Sequence, residues 1–190
     1  MSKLPKPSTV ILVYKPINTA EIELAISRLF DIRRHVIIPN LSYGFHGGHE
    51  KDIFAISSSF YGKEVEIKIS VSDFRADFKK SHHHESKYVK EFYYAFPMEI
   101  YEKVKDEVPS HAGVIICERN RYRVSAKIVK KAKINTKAIK LNDKDMITIG
   151  RLSAMRIWGL KHTICGLKEE IKELRINYKQ ICNKSIEDNV

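Results

Sequence analysis

Long apolar runs are missing from this chain of 190 residues. None approaches the ~18 residues that a bilayer span requires, so the chain is expected to be soluble, with no membrane partner. Cysteine is scarce as well: Cys117, Cys165 and Cys182 are an odd number, far apart, with neither CxxC spacing nor the pattern of a disulfide framework. A reduced setting follows, and the expected location is cytoplasmic. No ATP-binding motif is present, so any energy-coupled unwinding would have to come from a partner. Near the start, Ser8 to Tyr14 is too short for a secretory h-region and lacks a small-residue cleavage site, so it is expected to be a short strand. Acidic residues are the minority, 23 Asp and Glu against 34 Lys and Arg, for a net charge of +11. A surplus of that size concentrates polyanions near the surface, which makes nucleic acid the leading partner. The length suits one globular core with an appended element.

Several elements announce themselves. Asn18-Thr19 can cap a helix over Thr19 to Ile32, which would carry Ile22, Ala25, Ile26 and Leu29 on one side. Val36-Ile37-Ile38 reads as a strand closed by Pro39, followed by a glycine-rich loop over Ser42 to His49. The segments Asp52–Ser57 and Glu64–Ser70 are strands expected to pair as a hairpin across Tyr61-Gly62-Lys63. Ser72 has cap chemistry for a helix through Asp73 to Lys80, with Asp73 in the first turn where the helix dipole favours it. The continuous apolar runs Phe92–Pro97 and Gly113–Cys117 suit strands buried on both faces, joined by a helix over Met98 to Val108. Strand, helix, strand in this order predicts an α/β fold with a mixed sheet flanked by helices.

From residue 119 to residue 140 there is no acidic residue, while Arg119, Arg121, Arg123, Lys127, Lys130, Lys131, Lys133, Lys137 and Lys140 are all basic. Alternation over Tyr122 to Val129 predicts an ordered strand in it, and the stretch is expected to touch DNA. Beyond Asn142-Asp143 the chain turns helical. Ile157, Leu160, Ile164, Leu167, Ile171, Leu174, Tyr178 and Ile181 recur at spacings alternating three and four, a heptad seam. Such a helix can pair with its copy in a homodimer or lie along its own domain, although Gly159 and Gly166 each cost about 1 kcal/mol of helix propensity. The expected organisation is a domain over 1–141, including the basic segment at 119–140, and a helical extension over 142–190. Trp158, beside the seam, is assigned to packing.

In an extended strand Glu64, Glu66, Lys68 and Ser70 share one face and Val65, Ile67, Ile69 and Val71 the other. A half-solvated strand alternates in the same way, but Asp52 on the partner strand adds a carboxylate that a twisted hairpin can bring beside Glu66 and Lys68. Two carboxylates and a backbone carbonyl, here that of Ile67, are hard oxygen ligands suited to Mg²⁺. A cation so held can activate water against a phosphodiester, and Lys68 can stabilise the developing negative charge. Asp73 and Asp77, four apart on one helix face, are expected to support this site, and Arg75 and Lys79 to meet phosphates. The run His82-His83-His84 has no partner at zinc-ligand spacing.

Asp52, a turn and then Glu66-Ile67-Lys68 resemble the Asp and Glu-x-Lys of PD-(D/E)XK nucleases. The longer block from Glu66 to Lys79, with Tyr88 and Phe92-Tyr93-Tyr94-Ala95-Phe96-Pro97, is similar to the MmcB-like DNA repair proteins over roughly Thr19 to Cys117. The resemblance implies a restriction-endonuclease-like fold and metal-dependent cutting of DNA. Asp52 and Glu66 would bind Mg²⁺, with Mn²⁺ able to substitute, and Lys68 would be catalytic. A further carboxylate on the first helix is common in the superfamily, and Glu21 and Glu23 are both candidates, Glu21 being placed with the metal ligands. Lys51 stands where the motif has proline, and Lys80 where an aromatic residue is usual. The implied function is a Mg²⁺-dependent DNA endonuclease of repair, recombination or a mobile element. The rival is a non-catalytic DNA-binding module with the same fold. An RNA-directed enzyme is disfavoured by the lack of an RRM-type aromatic motif.

Overall fold

A computed structural model of the chain describes residues 15–41, 45, 50–78 and 86–187, the last six by their backbone only. The expected strand over Ser8 to Tyr14, most of the glycine-rich loop, Lys79, Lys80 and the histidine run lie outside the described residues. The described elements are α1 (Thr19–Leu29), β1 (Val36–Leu41), β2 (Lys51–Ile56), β3 (Gly62–Ile67), α2 (Val71–Asp77), β4 (Val89–Pro97), α3 (Met98–Val104), a 3-10 turn (Lys105–Glu107), β5 (Gly113–Arg119), β6 (Val124–Lys130) and α4 (Asp143–Glu187).

All six strands form one sheet in chain order, β1-β2-β3-β4-β5-β6. Its centre, β3-β4-β5, is parallel, and an antiparallel partner closes each side, so the mixed α/β sheet flanked by helices is as expected. The apolar runs of β4 and β5 occupy the middle, where both faces are covered. Glycine is required at Gly113, where a Cβ would run into the Tyr93 ring and the Ala132 backbone.

Helix α1 buries Ile22, Ala25 and Ile26 against one face of the sheet, with Ile53, Ala55, Val65, Ile67, Tyr93 and Ala95. The opposite face carries Phe54, Phe92, Tyr94, Phe96, Val114 and Ile116 and is covered by α2, α3 and the first turns of α4. On this side Phe74 of α2 meets Tyr94 and Phe96 edge-on at ring-centre distances of 5.2 and 5.3 Å. Such pairs each contribute about 1 kcal/mol beyond area burial and fix where α2 lies over the sheet.

Local expectations needed adjustment at several ends. Strand β1 runs through Pro39 to Leu41 instead of closing there, because it is an edge strand, where a missing N–H is tolerated. Helix α1 ends at Leu29, ahead of Ile32, and Asp31 follows with φ 58°. Ser70, not Ser72, caps α2, its hydroxyl accepting from the Asp73 N–H at 3.1 Å. Asn142 and Asp145 cap α4 reciprocally, side chain to backbone, at 3.1 and 2.9 Å.

With 45 residues, α4 is about 67 Å long at 1.5 Å per residue. Met146, Ile149 and Leu152 join the core, and Arg156 reaches the Asn40 carbonyl at 3.3 Å. From Ile157 to Ile181 every residue is exposed. Trp158 is therefore not packed: it is 67% exposed, with the Lys161 ammonium 5.2 Å from its ring centre. Among the described residues no helix is long and apolar enough to cross a membrane.

Candidate active site

Strands β2 and β3 pair from Ile56 and Gly62 to Ile53 and Val65, then part. Asp52 lies at the parting. One oxygen of its carboxylate accepts from the Ile67 N–H at 2.7 Å, taking a hydrogen bond that a longer ladder would have supplied. On the other side of β3 the Lys68 N–H donates to the Ala95 carbonyl, 2.9 Å away, as the parallel ladder demands. The N–H and C=O of one strand residue point to the same side, so the Ile67 carbonyl opens on the gap that holds Asp52.

The Glu66 carboxyl lies close enough to that of Asp52 to act on its protonation. Burial raises the Asp52 carboxyl above its ordinary value, against the opposing pull of the Ile67 N–H and of Lys68; the charge of Asp73 adds to the rise. Glu66 pairs in register with Tyr94, and Lys68 follows two residues on. The Lys68 ammonium, 3% exposed, lies 3.0 Å from Asp77 and 3.5 Å from Glu66. Asp77 accepts from the Tyr94 hydroxyl through its other oxygen at 3.0 Å. Burial, with the charges of Asp77, Glu66 and Glu64 beside it, pushes the Tyr94 hydroxyl far upward, so it stays a donor.

Strand alternation alone presents Glu64, Glu66 and Lys68 as a solvated face. They are instead buried, at 0%, 4% and 3% exposed, because α2 and the aromatic cluster cover them. Phe74 and Asp77 sit three apart on the same side of α2, so the ring that anchors the helix also sets Asp77 over Lys68. Asp73, one turn earlier, is exposed near Asp52. Lys51, in the motif's proline position, is 1% exposed and pairs with Glu64 at 2.9 Å. The sequence offered no signal for this ion pair beyond an unexpected lysine at the head of an apolar strand.

Together Asp52, Glu64, Glu66, Asp73 and Asp77 face two ammonium groups, Lys51 and Lys68. A surplus of negative charge around a partly buried pair of oxygens fits a hard divalent cation. Among the described residues no three His, Cys, Asp or Glu converge into a cage. Two carboxylates and one carbonyl nonetheless suffice for Mg²⁺, which keeps several waters and needs no all-protein shell. Cys117 offers no nucleophile, since burial pushes its thiol up to about 12.

The other expected site residues lie elsewhere. Glu21 caps α1 and is gripped by the Arg119 guanidinium at 2.7 and 2.8 Å, with its carboxyl lowered to about 2 chiefly by that bond. Arg119 ends β5, two strands from β3, so Glu21 is not brought to Asp52. Glu23 accepts from the Asn40 side chain at 3.0 Å, and Asn40 lies between the pairs Pro39–Ile53 and Leu41–Lys51, opposite Asp52. Of the two helix carboxylates, Glu23 thus stands beside the β1–β2 edge of the site. Arg75 is paired bidentately with Glu107 at 2.6 and 2.9 Å, and Lys127 with Glu118 at 3.2 Å. Lys130 donates to the Pro109 carbonyl at 3.0 Å, while Arg121, Arg123 and Lys131 project into solvent.

A mixed sheet with an aspartate at the parting of two strands and Glu-x-Lys at the end of the second places the chain in the PD-(D/E)XK superfamily. A family model described as "DNA repair protein MmcB-like" matches residues 9–164, and the chain belongs to the MmcB-like family. The match extends past the Thr19 to Cys117 block on which the resemblance rested. It takes in β6 and the part of α4 that joins the core, and it ends soon after Arg156, where α4 leaves the domain. A solved structure, the SPO1766 protein of unknown function from Silicibacter pomeroyi, superposes with TM-score 0.55 at 18% identity, over 80% of this chain and 93% of that one. At that identity the likeness speaks for the fold alone. No curated protein matches.

Proposed function

We propose that this MmcB-like protein is a Mg²⁺-dependent DNA endonuclease of repair, recombination or a mobile element, with Mn²⁺ able to substitute. The observation that carries the reading is the Asp52 carboxylate seated in the β2–β3 gap on the Ile67 N–H, beside Glu66 and ahead of Lys68. Asp52, Glu66 and the Ile67 carbonyl would hold the cation. When bound, it would neutralise the scissile phosphate and make its water a better nucleophile. Lys68 would place a positive charge where the pentavalent phosphorus gathers negative charge. Asp77 and Tyr94 are positioning residues that hold the Lys68 ammonium in place through two hydrogen bonds of 3.0 Å.

The basic residues would receive the duplex backbone. Strand β6 lies three strands from β3, about 14 Å at the usual spacing, or roughly four base pairs along a duplex. Arg75, Arg119 and Lys127 already have carboxylate partners, but exposed pairs are worth at most about 1 kcal/mol, and a phosphate can displace them.

The eight seam residues of α4 are each 49–70% exposed, which favours a second copy as their cover. Parallel pairing suits the flanks best: it sets Glu170 against Arg175 of the copy, whereas antiparallel pairing sets Lys161, Lys168 and Arg175 against one another. A dimer would let both strands be cut in one encounter.

Cleavage of supercoiled, linear and branched DNA in Mg²⁺ and Mn²⁺, with EDTA and Glu66→Ala controls, tests the reading. Cutting that EDTA and Glu66→Ala both abolish, by at least about a thousandfold for the variant, supports it. DNA that is bound but never cut moves the protein to the non-catalytic DNA-binding class.

A further inference from the structure

Of the basic residues on and beside β5 and β6, Arg119, Lys127 and Lys130 have protein partners and Arg121, Arg123 and Lys131 project into solvent; a second set is gathered in one cleft. A cleft of about 730 Å³ opens where β4 and β5 begin, lined by Lys87, Lys90, Lys133 and Lys137 together with His111 and Phe92. Among the described residues none of the four lysines is ion-paired with a carboxylate, and no carboxylate lines the cleft. Arg75, Arg119 and Lys127 each have one.

The cleft is built, not a chance of side-chain placement. Residues 131–141 have no regular secondary structure, yet hydrogen bonds strap them to the start of β4 and to the turns ahead of β4 and β5. Lys133 N–H donates to His111, Asn135 N–H to Lys90, the Asn135 side chain to Val89 and Ile139 N–H to Lys87, at 2.9, 2.9, 3.1 and 2.8 Å. The strap holds Lys133 and Lys137 across from Lys90 on β4 and Lys87 in the turn that leads into it. The Lys90 ammonium further lies 3.9 Å from the Tyr61 ring centre, which keeps its charge in place without neutralising it. Four like charges held together with no ion-paired carboxylate among the described residues cost stability through mutual repulsion, and a polyanion relieves that cost.

The location is distinct from the candidate active site. Glu66 pairs with Tyr94, whereas Lys90 stands four residues earlier on β4, about 13 Å back along the strand towards the other end of the sheet. A site for a single small anion has no need of such spread, but a run of phosphates does.

We propose that this cleft is a second nucleic-acid contact, gripping the phosphate backbone of DNA away from the point of cutting. The proposal rests on DNA being the partner and is independent of whether Asp52 and Glu66 cut. A fluorescein-labelled duplex of about 30 base pairs, titrated in EDTA across roughly 50–200 mM salt, reads it without catalysis. Lys133→Ala/Lys137→Ala is compared with Lys172→Ala/Lys179→Ala on α4, which removes the same charge from exposed positions off the seam and its flanks. The cleft variant should bind about tenfold more weakly, with the slope of log affinity against log salt shallower by about 1.8, two lost phosphate contacts. An affinity and slope no different from those of the α4 variant overturn the cleft while leaving DNA as partner. Failure of the unaltered protein to bind at the lowest salt overturns both.

Discussion

The end of β3 and the free length of α4 break the ordinary rule of burial in opposite senses. Around β3, Lys51, Glu64, Glu66, Lys68 and Asp77 are all under 5% exposed, in positions where a core would be apolar. Along α4, Ile157, Leu160, Leu174, Tyr178 and Ile181 are all more than half exposed. Buried charge and exposed apolar surface are the two observations that ordinary folding does not explain, so each marks work done outside the fold. They differ in what covers them. Protein covers the β3 charges, and their internal pairing sets one geometry; protein does not cover the α4 stripe, so its geometry waits on a second surface. The first region should therefore be intolerant of single changes and the second tolerant until that surface is present.

The largest stability effect separating the two is expected at Lys51. Lys51→Ala removes the ammonium 2.9 Å from a Glu64 carboxylate that is wholly buried, and breaking such a pair costs about 3–5 kcal/mol. Lys51→Met with Glu64→Leu removes both charges together and should recover most of that loss. Urea unfolding of the three proteins checks this, and a single variant as stable as the parent would mean that the pair does not anchor the β2–β3 hairpin.

A smaller effect of the same kind is expected at Tyr94. Tyr94→Phe keeps the ring against Phe74 and Phe92 but removes the hydroxyl that donates to Asp77, a loss of about 2 kcal/mol for a bond to a charged acceptor. If Asp77 positions Lys68, cleavage should fall while duplex affinity in EDTA is unchanged. A fall in affinity alone would assign Tyr94 to DNA contact instead.

The difference between the regions also explains what could be read from the chain. The sheet, α1 and the seam of α4 were legible because apolar periodicity is a local property: Ile22, Ala25 and Ile26 bury, and the runs of β4 and β5 occupy the centre. Asp52 and Glu66-Ile67-Lys68 were legible as a spaced motif. That Glu64, Glu66 and Lys68 lie under α2 was not, since a strand of period two looks the same whether its charged face meets water or a helix. Asp77 could be suspected from its i, i+4 relation to Asp73, but its bonds to Lys68 and Tyr94 depend on how Phe74 docks. Arg119 and Glu21 were read separately, as a DNA contact and a metal ligand, because 98 residues separate them in sequence and nothing local announces their ion pair.

That pair supplies a milder contrast with the β3 charges, because it is more exposed, with side chains 30% and 25% accessible. The folded Glu21 carboxyl is lowered from 4.5 to about 2. The sign is that of a depressed carboxylate: the stability it adds is full above the ordinary value near 4.5 and is lost as the pH falls towards about 2. Glu21→Gln lacks that contribution, so it should be less stable than the parent near neutrality and converge with it as the pH falls through this window. Unfolding midpoints measured down the acid limb check this. A constant gap at all pH values would mean that the loss comes from the α1 cap, where Glu21 also receives the Asn18 N–H at 3.1 Å, and not from charge.

The smallest effect on the single chain is expected on α4, and there the comparison can be turned round. Leu167 and Ile171 are about half exposed on a segment, Ile157 to Ile181, in which every residue is exposed. Leu167→Glu and Ile171→Glu should then each shift the unfolding free energy of a dilute sample by less than about 0.5 kcal/mol. In a parallel dimer the same side chains face their copies, and a pair of glutamates across the seam opposes association by desolvation and like charge. Sedimentation across a wide concentration range should show the parent associating and the variants staying monomeric, with DNA cutting by the variants reduced to nicks. A parent that stays monomeric at every concentration removes the second copy as the cover and leaves the seam to a helix of another protein. Its flank chemistry would then follow from this one: acidic residues set against Lys161, Lys168 and Arg175.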